Sequence, residues 1–92
     1  MALVTDVAME LDFLRAVSFY KHVCHYLGAP STVNGHELHV EATMDEVGEH
    51  RFMCVLHVQL VLEGKLLMSS FCSPVPSECD KLIERAVEYA YD

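Results

Sequence analysis

Ninety-two residues, 52% of them apolar, make one domain that must fill its core efficiently, because a chain this short buries only about 60 to 65% of the surface its unfolded form exposes. Acidic side chains number 14 and basic ones 6, a net charge of -8. That balance argues against general attraction to phosphate backbones or anionic membranes and favours a basic or neutral partner.

Cys24, Cys54, Cys72 and Cys79 lack CxxC spacing, and two fall on expected core faces, so they read as free thiols in a reducing compartment. The opening Met-Ala-Leu-Val-Thr-Asp has neither the basic nor the apolar region of a secretory signal, and no stretch approaches the roughly 18 uncharged residues of a membrane span. The expectation is a soluble chain in the cytoplasm or nucleus, one domain over residues 1–92, with residues 1–5 frayed.

From about Asp6 to Leu27 the apolar residues Phe13, Val17, Tyr20, Cys24 and Leu27 recur at helical spacing, opposite a polar stripe of Arg15, Ser18, His22 and His25. Thr5 or Asp6 can cap this helix, and Gly28 followed by Pro30 stops it. The next segment, Ser31 to His36, contains Asn34-Gly35, a strong turn signal, and reads as a connector able to form a small hairpin. In the first expected strand, 37–43, Leu38, Val40 and Ala42 alternate with Glu37, His39, Glu41 and Thr43, and residues 44–50 follow as an acidic loop.

A second strand, 51–62, sets Phe52, Cys54, Leu56, Val58, Leu60 and Leu62 on one face and Met53, Val55, His57, Gln59 and Val61 on the other. With Glu63-Gly64 as a two-residue turn, a regular hairpin sets Leu60 against Leu67 on the core side, and Val61 against Leu66 and Gln59 against Met68 on the outside. After Ser73-Pro-Val-Pro76, the sequence Ser77-Glu-Cys-Asp80 fits a cap. Cys79, Leu82, Ile83, Ala86, Val87 and Ala90 then keep a helical stripe. The expected fold class is therefore α+β, of order α-β-β-β-α, with both helices on one face of a three-stranded antiparallel meander.

Residues 37–91 resemble the strands and last helix of a double-stranded-RNA-binding domain. Gly48-Glu-His50 falls where that family has a Gly-Pro-x-His loop, 52–58 resembles its second strand, and 85–91 the Ala-rich end of its last helix. The family's phosphate-gripping Lys-Lys-x-Ala-Lys run aligns with Cys79, Asp80, Lys81, Leu82 and Ile83, so its three lysines become Cys, Asp and Ile. Its minor-groove loop holds Asp45, Glu46 and Glu49, and its first helix offers Lys21 where the family has a Glu. Duplex RNA is gripped largely through phosphates, so these exchanges set repulsion where attraction is needed, and only Lys65, Lys81 and Arg85 favour weak RNA binding. Members of the family that have lost RNA binding pair with other proteins through the third strand and outer sheet face, and the resemblance implies that option here.

The leading expectation is thus a non-catalytic interaction module that meets a protein partner, or a copy of itself, through Leu66, Met68 and Ser70 of the third strand with Val61 and Gln59 beside them. The alternative is an acidic decoy inhibitor, as phages use, in which Asp45, Glu46 and Glu49 with Glu78, Asp80, Glu84 and Glu88 imitate phosphates in the groove of a nucleic-acid-binding protein. No metal site is expected, since Cys24 points away from His22 and His25, and Cys54 faces away from His57. There is no nucleophile beside a base and no phosphate loop, hence no expectation of catalysis or of a cofactor. His39 and His57, with Glu37 or Glu41 nearby, suggest a pH-sensitive outer face.

Overall fold

The computed structural model describes residues 7–92. Thr5, Asp6 and the expected frayed start lie outside the described residues. In chain order the elements are β1 (Met9–Asp12), α1 (Phe13–Val23) with a 3-10 turn (Cys24–Tyr26), β2 (Ser31–Val33), β3 (His36–Gly48), β4 (Arg51–Leu62), β5 (Lys65–Cys72) and α2 (Pro76–Ala90). The class is α+β as expected, but the antiparallel sheet has five strands rather than three. β4 is its centre: β3 lies along one side, while β1 and β5 share the other, β1 pairing with Arg51 to Cys54 and β5 with Leu56 to Leu62. β2 adds to the far edge of β3.

The two additional strands have local causes. Met9 and Leu11 alternate with Glu10 and Asp12, so this stretch pairs as a half-wet strand, and Asp12 then accepts a hydrogen bond from the Arg15 amide at 2.8 Å and starts α1 seven residues later than a cap at Thr5 would. Asn34 and Gly35 both have positive φ (47° and 77°), the geometry of the tight turn whose twist matches paired strands, and they join β2 to β3. The Asn34 amide also donates to the Ala90 carbonyl at 2.7 Å, so one residue closes a hairpin and satisfies the end of α2.

Both helices bury their apolar residues against the same sheet face, formed by Leu11, Leu38, Val40, Cys54, Leu56, Val58, Leu60 and Cys72. From α2 come Cys79, Leu82, Ile83, Ala86 and Ala90, the expected stripe. α1 differs: its buried residues are Ala16, Phe19 and Val23, one position round from the expected stripe, while Phe13, Tyr20 and Cys24 are exposed. The helix carries two adjacent apolar stripes. Small Ala16 lets one approach the sheet, and the bulky aromatic one is left at the rim.

The expected cap of α2 is also corrected. Pro76 occupies the first turn, Val75 precedes it without a side-chain cap, and Asp80 instead meets His22 of α1 at 3.1 Å. Proline's missing N–H removes one of the donors that a cap would satisfy, which makes the start of α2 tolerable without one.

Candidate functional site: two free strand edges

The Glu63-Gly64 turn forms as expected, with φ of 51° and 79°, and pairs Val61 with Leu66. Beyond it the register slips by one residue at a bulge, so that Leu60 pairs with Met68, Val58 with Ser70 and Leu56 with Cys72. A single extra residue reverses every later side chain. Met68 and Ser70, expected on the outer face, therefore point to the helix side, where Met68 joins the core. Their outer places go to Ser69, paired with Gln59, and Phe71, paired with His57. Of the expected partner-binding set, Leu66, Val61 and Gln59 remain outside.

The outer face is built around Val55, which is only 5% exposed although the two helices α1 and α2 pack on the opposite face. His57 stacks on Phe71 with ring centroids 4.0 Å apart and planes 9° from parallel, and its Nε2 lies 2.8 Å from the Ser69 hydroxyl. Partial burial lowers the His57 pKa below its ordinary value, and the Glu41 carboxylate, paired across the strands, opposes that shift. His39 sits opposite Gln59 and bonds Glu37 at 3.1 Å, so it does not pair with His57. Arg51 grips Glu10 at 2.8 Å and fastens β1 to this face. Leu66, 52% exposed, ends the apolar strip next to Lys65.

β5 has no strand on its far side among the described residues. Its eight residues contain one charge, Lys65, and no proline. The devices that usually protect an edge are nearly absent from it, the bulge at Leu67 excepted.

A second open edge was not foreseen. The segment expected as a loop, 44–50, instead continues β3 to Gly48 and makes a long arm with β4, turning at Glu49 and His50. Acidic residues are weak strand formers, but Met44 and Phe52 face the core side and hold the arm, and Val47 absorbs a register shift. β2 pairs with β3 only as far as Leu38, where Pro30 ahead of Ser31 has no N–H to continue the ladder. Past that point β3 has no second neighbour among the described residues. On the helix side of the arm, Phe13, Ala16, Val17, Tyr20, Met44 and Phe52 line an apolar groove of about 390 Å³, with Lys21 at its margin. Phe13 is 51% and Tyr20 46% exposed. The signal for this groove lay in the first helix, whose aromatic stripe is too wide for one buried face.

The carboxylates of the decoy reading fall into two groups. Asp45, Glu46 and Glu49 crowd the end of the arm, whereas Asp80, Glu84 and Glu88 follow α2 toward Asn34 at the opposite end of β4, with Glu78 at its start. Asp80, Glu84 and Glu88 border a groove against Tyr26, Ser31, Val33 and Leu38. Lys81 and Arg85 lie on the same helix, and Lys65 at the β4–β5 turn.

Cys54, Cys72 and Cys79 are buried and Cys24 exposed, all as thiols. The Cys79 thiol donates to the Ser73 carbonyl at 3.8 Å, and the neighbouring Cys79 together with burial pushes the Cys72 thiol up. Among the described residues no group of His, Cys, Asp and Glu has metal-site geometry, and no helix is long and apolar enough to cross a membrane. Comparison with protein-family models, curated proteins and solved structures returns no match.

Proposed function

We propose that this chain is a non-catalytic interaction module that pairs, through the free edge of β5 and the outer sheet face beside it, with a second copy of itself. The observation that carries this reading is an eight-residue edge strand with a single charge and a backbone flank unpaired among the described residues. Unpaired N–H and C=O groups in a row are satisfied most completely by another strand.

Self-pairing suits this edge because its residues are compatible with their own repetition. An antiparallel twofold arrangement centred on Ser70 keeps like faces together. It sets Ser69 beside the copy's Phe71 on the outer face and Met68 beside the copy's Cys72 on the helix face, without opposing like charges. Leu66 and Val61 extend the apolar strip at the margin.

The test is molecular mass in solution, by sedimentation, for the wild type and for the double variant Leu66→Lys/Ser69→Lys, both at exposed positions. The wild type is expected as a dimer whose mass survives added salt, and the variant as a folded monomer. A monomeric wild type, or a variant with unchanged mass, would overturn the reading.

A further inference from the structure

The β3 edge differs from the β5 edge in what it can accept. From Ala42 to Gly48 its backbone has no partner on the side away from β4 among the described residues, and the apolar groove lies under its helix face. Tyr20 lines both that groove and the adjoining cleft along His39, Val40, Glu41 and Ala42. From Glu41 to Asp45 the two faces of this edge differ in chemistry, and Glu46 follows on the helix side opposite Phe52. Ala42 and Met44 are on the helix side, Met44 in the groove, while Glu41, Thr43 and Asp45 face outward, their registers with Leu56, Cys54, His57, Val55 and Met53 fixing the alternation.

We infer that the β3 edge and its groove form a second docking site, for an extended peptide segment in which apolar residues alternate with Lys or Arg. Such a segment adds a strand to β3. Its backbone satisfies the free edge, its apolar side chains enter the groove against Phe13, Tyr20 and Met44, and its cations lie beside Glu41 and Asp45. Charge selects this occupant over a second copy of the chain. Self-pairing here would crowd two copies of Asp45 and Glu46 along one short edge on a molecule of net charge -8, and close like charges across strands are destabilising.

The probe is a labelled heptapeptide, Lys-Val-Lys-Leu-Lys-Val-Lys, followed by fluorescence anisotropy. Two controls accompany it: the block arrangement Lys-Lys-Lys-Lys-Val-Leu-Val and an alternating peptide with Glu for Lys. Binding is measured to the wild type, to Phe13→Ser/Tyr20→Ser, to Glu41→Lys/Asp45→Lys, and to Leu66→Lys/Ser69→Lys. The altered side chains, apart from those of the β5 control, are solvent-exposed ones at the groove or the arm, and thermal melting verifies that each variant is folded.

The alternating basic peptide should bind at least tenfold more tightly than either control. Each of the two groove and arm variants should lose tenfold or more. The β5 variant should bind like the wild type, so that failure of this site and failure of β5 pairing are separate results. Equal binding of the alternating and block peptides would reduce the effect to diffuse charge attraction and overturn the inference. So would undiminished binding by Phe13→Ser/Tyr20→Ser, absence of binding to the wild type, or a wild-type dimer that Glu41→Lys/Asp45→Lys alone dissociates.

Discussion

β3 and β5 both expose a strand edge, but they do so with opposite chemistry. Along β5 the sequence Lys-Leu-Leu-Met-Ser-Ser-Phe-Cys is nearly neutral and can repeat against itself, whereas the outer half of β3, Thr-Met-Asp-Glu-Val-Gly, carries two carboxylates on a chain already rich in them. One edge therefore tolerates a copy and the other demands a cation. The difference teaches that an open edge specifies its partner through the side chains flanking it, since the backbone groups offered are the same at both.

The comparison rests on the β5 bulge, which decides what each face of that strand shows. Its strongest test is Met68→Lys against Leu66→Lys. With Met68 turned to the core, a lysine there should cost about 1 to 3 kcal/mol, as expected when a charge replaces a packed apolar side chain. Leu66→Lys at an exposed site should change stability by less than about 0.5 kcal/mol. Chemical denaturation of both variants checks this. Equal costs, or the reverse order, would restore the unbulged register and break the comparison.

A smaller effect sharpens it from the outer face. The His57 pKa is lowered in the folded protein, so the unfolded chain binds the proton more readily. The stability His57 contributes is then fully present above its unfolded value, near 6.5, and falls as pH drops below that value toward the folded one. Melting temperature should decline from neutral pH to pH 5, and His57→Gln should flatten that decline. A decline as steep in the variant would assign it to other groups.

How much of this was legible in advance differs by element. The period-2 pattern of β4, the Asn34-Gly35 and Glu63-Gly64 turns and the α2 stripe each had one strong local cause, and they form as read. The first helix did not, because its two apolar stripes compete and periodicity alone does not say which is buried. Only the packing of Ala16 and Phe19 against the sheet decides it. The arm is hidden for a related reason: Asp45 and Glu46 read as a loop until the pairing with β4 supplies what their propensities lack. The bulge leaves no mark in the alternation of Leu66, Leu67 and Met68, and that alternation puts Met68 and Ser70 on the outer face, where the structure has Ser69 and Phe71.

The most direct test of distinct roles for the two edges is amide hydrogen exchange along residues 42–47 and 65–72, compared at low and high protein concentration. The account predicts that protection of β5 rises with concentration while that of the β3 edge stays constant, until the alternating basic peptide is added and β3 alone gains protection. Concentration-dependent protection at β3, with β5 indifferent to both concentration and peptide, would contradict it.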